Sequence, residues 1–214
     1  MNGPLLSRTL AFAVLTLALS TSQAAPDAQF RPAFQLFNQA SAGDKAAVDA
    51  AADAFDTLLQ AEPTNPVLMA YAGASTAMKA RTTILPWKKM GFAEDGLAML
   101  DKALALLTPA HDAIGQHGTP ASLETRFVAA STFLAVPEFM HRGARGNTLL
   151  AEVLASPLLA QSPLPFQSAV WMCAGAQAAK ENRVADARRF FEQVVQRGAP
   201  QAEQARVALQ GLPS

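Results

Sequence analysis

The chain has 214 residues, half of them hydrophobic and 16% charged, with 17 basic side chains balanced by 17 acidic ones. That is enough apolar material for one full core, and it excludes a disordered chain. The even charge excludes a global field for nucleic acid or an anionic membrane.

The N-terminus reads as a targeting segment. One positive charge, Arg8, precedes the run Leu10–Leu19, which is apolar apart from Thr16. Ser20–Ala24 then supplies small and polar residues. The run is short for a span and fits the hydrophobic region of a secretory signal. Cleavage after Ala24 leaves Ser22 and Ala24 at the two critical positions. The other reading is an uncleaved anchor. Residues 1–24 are thus expected to be a cleavable signal peptide, which places the protein in the periplasm or outside the cell. Their loss removes Arg8 and no acid, leaving 16 basic against 17 acidic residues. No later apolar run is long enough to span a bilayer. Cys173 is the only cysteine, so no internal disulfide can form. Its surroundings, WMCAGA, are those of a core thiol rather than a reactive one.

Residues 25–31 read as a flexible leader and residues 32–211 as a single helical domain. Pro32 suits a first helical turn, and Phe34 and Phe37 share a face before Gly43-Asp44 stop the helix. A second helix spans about Lys45–Gln60, with Val48, Ala51, Ala52, Phe55, Leu58 and Leu59 at spacings of three and four. Glu62-Pro63-Thr64-Asn65-Pro66 ends it and opens a third, about Pro66–Lys79, rich in Ala and Gly. Pro86 opens a fourth helix with the stripe Leu97, Leu100, Leu104 and Leu107. Gly91 and Gly96 weaken its first half. Pro109–Pro120 is a loop with two histidines. The fifth helix aligns Leu123, Phe127, Ala130 and Leu134 and ends at Pro137, and the sixth spans about Glu138–Leu154. A three-proline connector, Ser156–Pro165, leads to helices at about Phe166–Glu181, Val184–Arg197 and Pro200–Gln210. No stretch alternates like a strand, and Ile occurs only at Ile84 and Ile114, so the expected fold is all-α, built of consecutive antiparallel helix pairs.

In the C-terminal pair Trp171, Ala174, Gly175 and Ala178 are followed by Ala187, Phe191 and Val194, with Pro200 beyond. This resembles the tetratricopeptide repeat, in which small residues let two helices touch and a large aromatic fills the groove toward the next pair. The usual Tyr is Ala178 here, and the usual Pro is displaced by one position. Ala51, Phe55, Leu58, Pro63 and then Gly73 give a second, partial match. The middle of the chain resembles small exported bacterial tetratricopeptide-like proteins of undefined role. The shared features are Tyr71-x-Gly73, Gly96-Leu97 with Leu100-Asp101-Lys102-Ala103, Glu124-x-Arg126 and Pro137-x-Phe139. The resemblance implies a short right-handed solenoid of stacked helix pairs with a binding groove, and it brings no catalytic residues or cofactor.

Candidate chemistry is sparse. His111, Asp112 and His117 share a loop, with His141 apart, but their spacing fits no zinc motif. Lys79, Arg81, Lys88 and Lys89 gather around Trp87. They form either a clamp for an anion or peptide carboxylate, or a solvated turn with Trp87 in the core. Arg142 and Arg145, three apart, share a face suited to acidic side chains. Glu124 with Arg126, and Glu138 with Arg142, are read as ion pairs. The first expectation for function is therefore an exported, non-enzymatic interaction protein for a protein or peptide partner of the cell envelope. Tyr71, Lys88, Arg126 and Arg142 are its candidate contacts, as bulky polar residues on otherwise small-residue helices. The second expectation is a carrier of an apolar small molecule or lipid, with Met69, Met78, Met90, Met99, Met140 and Met172 lining a cavity.

Overall fold

The structure, a computed structural model, describes residues 27–115 and 118–213. The expected signal segment, 1–24, lies outside them. Among the described residues helix is the only extended element, and a lone bridge joins Ile114 to Pro120. The helices are α1 (Asp27–Ser41), α2 (Ala47–Ala61), α3 (Pro66–Thr82), α4 (Pro86–Ala105), α5 (Ala121–Ala135), α6 (Gly143–Ala155), α7 (Pro157–Gln161), α8 (Leu164–Lys180), α9 (Val184–Gln196) and α10 (Ala202–Gln210).

Sequence signals account for most of these boundaries. Gly43, at φ 107°, makes the turn out of α1 in a conformation that other residues resist. Asn65 caps α3 by accepting from the N–H groups of Val67 and Leu68 at 3.0 and 3.3 Å, and Pro66 fills the first position. Ser156 caps α7 in the same way, so the proline-rich connector holds a short helix of its own.

Two boundaries depart from expectation. The leader is not loose over its whole length, because α1 starts at Asp27 and carries Pro32 inside it. Burial of Phe30 explains this. Its ring is fully enclosed, edge-on to Phe55 and Tyr71 at 5.7 Å, and that apolar gain outweighs the one hydrogen bond Pro32 cannot donate. The sixth helix begins at Gly143 rather than Glu138. A single 3-10 turn, Glu138–Met140, comes first, and His141 at φ 55° redirects the chain.

From α1 to α7 each helix packs on the next in the chain, α8 packs back on α6 and forward on α9, and α9 packs on α10; α1 also touches α3, α3 touches α5 and α5 touches α8. The hairpins meet at glycines. A Cβ on Gly73 of α3 would lie 2.9 Å from Met99 Cβ, and one on Gly96 of α4 would lie 2.6 Å from the Ala77 nitrogen. Contacts that climb α3 as they descend α4 make this pair antiparallel. Gly146 serves α5 and α6, its Cβ position lying 2.8 Å from Leu134. Between α8 and α9, Gly175 faces the ring of Phe191. Phe191 therefore fills the hollow within its own pair, and it also belongs to the apolar cluster that reaches α10.

The main core runs from Phe30 on α1 to Ala174 on α8. A second cluster, centred on Trp171, Phe191 and Val194, joins α8, α9 and α10. Cys173 is half-buried against the main core, and burial pushes its thiol up to about 11. At pH 8 its thiolate should be about 100-fold scarcer than that of an exposed thiol. Labelling with a disulfide reagent at that pH should accordingly be slower by about that factor than in denaturant. Equal rates in the two states would show an accessible thiol.

Candidate functional site

A cleft of about 610 Å³ lies between the end of α1, the faces of α3 and α4, the end of α5 and the turn that follows. Its walls are mostly apolar: Phe37, Ala74, Ala77, Met78, Met90, Ala93, Phe127, Val136, Phe139 and Met140. Asn38, Ser41, Ser131 and Thr132 add hydroxyl and amide groups, and Arg81 and Lys89 supply positive charge. Among the described residues no acid, histidine or cysteine lines it. The cleft arises because α3 is a helix of small residues, which leaves room between the larger side chains of α1, α4 and α5. Two of its apolar side chains stand out at the opening, Met90 and the 61% exposed Phe139. The volume is that of an ordinary ligand pocket.

The four contact candidates from the sequence do not come together. Tyr71 is a core residue and is withdrawn, since a side chain only 4% exposed cannot meet a partner. Its ring stacks on Phe55 at 4.8 Å and meets Phe30, Phe34 and Phe37 edge-on. Its hydroxyl donates to Glu124 Oε1 at 2.7 Å, tying α3 to α5. Lys88 is exposed, on the first turn of α4. Arg126 lies on another face, 3.7 Å from Glu152, beside a polar recess of about 420 Å³ that also includes Asp112 and Ser156. Arg142 donates to Asp101 at 2.9 Å and Arg145 to the same carboxylate at 2.6 Å, with both guanidinium groups over the Phe133 ring.

Those distances correct two expected ion pairs. Glu124 pairs with Tyr71 rather than Arg126, and Arg142 is drawn to Asp101 rather than Glu138. In each case a partner distant in sequence is better placed than the local one. The reading of Arg142 and Arg145 as holders of an acidic side chain does describe Asp101.

The basic cluster divides. Lys79 turns to Asp49 at 3.3 Å and to the Phe92 ring at 5.4 Å, while Arg81 and Lys89 face the cleft. Trp87 is not in the core: it stands 71% exposed. Of the six methionines expected around a cavity, Met78, Met90 and Met140 line the cleft, and Met69 is buried in the core.

Histidine chemistry finds no support in the described residues. His111 accepts from the Thr108 N–H through Nδ1 at 2.9 Å, a capping role. His117 lies outside the described residues. No group of three or more potential metal ligands gathers among those described, and no described helix is long and apolar enough to cross a membrane.

Fold and site together define a class: an all-α protein of packed neighbouring helices with an apolar, cation-edged cleft. Comparison with protein-family models, curated proteins and solved structures finds no match.

Proposed function

We propose that the protein is a non-enzymatic interaction module that holds an apolar segment of a protein partner in the cleft. The carrying observation is the cleft itself, which is apolar, about 610 Å³, and bordered by protruding Met90 and Phe139. An opening edged by exposed apolar side chains suits a segment of a larger chain laid across it. The lining supports a binding role, because among the described residues it is mostly apolar and the charged groups are the two cations Arg81 and Lys89. The ordering of helix contacts and the glycine-mediated hairpins support a short right-handed solenoid of the tetratricopeptide-like kind. In such a solenoid the first helices of successive pairs form the binding face. On the reading of Leu10–Leu19 as a secretory signal, the partner is a cell-envelope protein.

Site-specific photocrosslinking in the native cell tests this. A photoreactive residue at Ala135, exposed on the cleft wall, should give a discrete protein adduct, and one at Arg188 on α9 should not. Filling the cleft with Ala80→Trp should abolish the adduct. No adduct at Ala135, or one indifferent to Ala80→Trp, overturns the proposal. The carrier reading is favoured by one observation, the three methionines in the cleft. A lipid that stays bound through native mass spectrometry, in place of an adduct, would establish it.

A further inference from the structure

We infer that the turn between α3 and α4 docks on an anionic lipid surface, with Ile84 and Trp87 entering the headgroup region and Arg81, Lys88 and Lys89 meeting its negative charge. Arg81, Lys89 and Met90 also border the cleft, so this surface lies beside its opening.

Two independent features coincide there. The first is exposed apolar surface. Ile84 is 88% and Trp87 71% exposed, and Met90, one turn beyond Trp87, is exposed as well. The second is charge. From Pro63 to Ala93 the chain holds no acidic residue. Arg81, Lys88 and Lys89 have no carboxylate partner among the described residues. Helix α4 starts at this point with no acid in its first turn, so its positive dipole end adds to the same field. The nearest acids in the chain, Glu94 and Asp95, begin about two turns further along α4. An even overall charge thus conceals a local cationic tip.

The geometry selects a bilayer over a protein. Ile84 and Trp87 protrude from a turn instead of lining a hollow, so a protein partner would need two sockets shaped to them. A headgroup region yields around any protruding side chain. Tryptophan is at home at that depth, and cations beside it find anionic headgroups. Each such cation strengthens attachment about fivefold.

Vesicles with brominated acyl chains test the assignment. The full chain is used, and because the run Leu10–Leu19 can attach to bilayers by itself, attachment is not the readout. The readout is the position of Trp87. The chain has two tryptophans, and Trp171 is buried, so contact quenching by bromine reports Trp87. Expected is quenching with brominated phosphatidylglycerol vesicles, weaker quenching with brominated phosphatidylcholine, and loss at 1 M salt, where the screening length falls to about 3 Å. Lys88→Ser/Lys89→Ser should lower the ratio of inserted to free tips about 25-fold. Val207→Ser, which removes an exposed apolar side chain on α10, should change nothing. The inference is overturned by an unquenched Trp87 or equal quenching on the two lipids. A double-serine variant that behaves like wild type, or a Val207→Ser variant that loses quenching as that variant does, also overturns it. So does quenching that survives Trp87→Phe, which would place the signal at Trp171.

Discussion

Gly96→Ala should destabilise the protein by about 3 kcal/mol, at the upper end of what overpacking a core costs. Gly91→Ala, five residues earlier in the same helix, should stabilise it by about 0.5–1 kcal/mol. Alanine improves helix propensity equally at both sites, so the difference in sign belongs to packing. A Cβ on Gly91 meets nothing within 4 Å. On Gly96 it lies 2.6 Å from the Ala77 nitrogen and 2.8 Å from the Ala77 Cβ, where an ordinary contact begins at 3.4 Å. Backbone and Cβ atoms have no rotamer by which to withdraw. The strain is relieved only by moving α3 and α4 apart, and the same movement opens the contacts of Gly73 with Met99 and Leu100. In a chain of this size the loss corresponds to a fall in Tm of roughly 10 °C. Calorimetry on the two variants checks both signs, and a stabilised Gly96→Ala would mean that the helices do not touch there.

Gly96 also shows which parts of the structure could be read in the sequence. Prolines and the spacing of apolar residues are local signals, and they located every long helix, with two starts five residues away and the short α7 unread. Gly73 and Gly175 stood in a repeat pattern, so their close contacts were legible. Gly96 stood outside the repeat pattern, as part of a family resemblance that assigns it no contact, and otherwise looked like a weak point of α4. Its role depends on α3 lying across it, which periodicity does not reveal. Tyr71 was misread for a similar reason. A lone tyrosine on a helix of small residues suggests a surface contact, yet its partners Phe30, Phe34, Phe37, Phe55 and Glu124 come from three other helices. The cleft was legible only in part, through Met78, Met90 and Met140, because the other residues from α1 to Met140 converge on it without a shared motif. The four cations Lys79, Arg81, Lys88 and Lys89 around Trp87 could also be read, and they left open whether the ring was inside or out.

Glu124 is where the pH dependence of stability should concentrate. This carboxyl is 2% exposed, and burial lifts it to about 7 from an ordinary value of 4.5, against the opposing pull of the Tyr71 hydroxyl. Below pH 4.5 the group is protonated whether the chain is folded or not. Between 4.5 and 7 the folded protein keeps the proton and the unfolded chain releases it, so stability falls as pH rises. Above 7 both forms are ionised and the loss is complete, at about 3 kcal/mol. Tyr71 itself is held well above 10, by burial first and by Glu124 second, and contributes no slope in this range. Glu124→Gln keeps an oxygen to accept the Tyr71 hydrogen bond and has no proton to lose. Urea denaturation of wild type and Glu124→Gln at pH 4.5, 6 and 7.5 should therefore show the difference between them changing by about 3 kcal/mol in favour of the variant. Any constant offset reports only how the amide fits. Tyr71→Phe should push the carboxyl higher still, extending the decline beyond pH 7 and costing a further 1.5–3 kcal/mol or so in the ionised state. Parallel curves for wild type and Glu124→Gln would mean that this carboxyl titrates as it does in water, and that the α3–α5 contact is open to solvent.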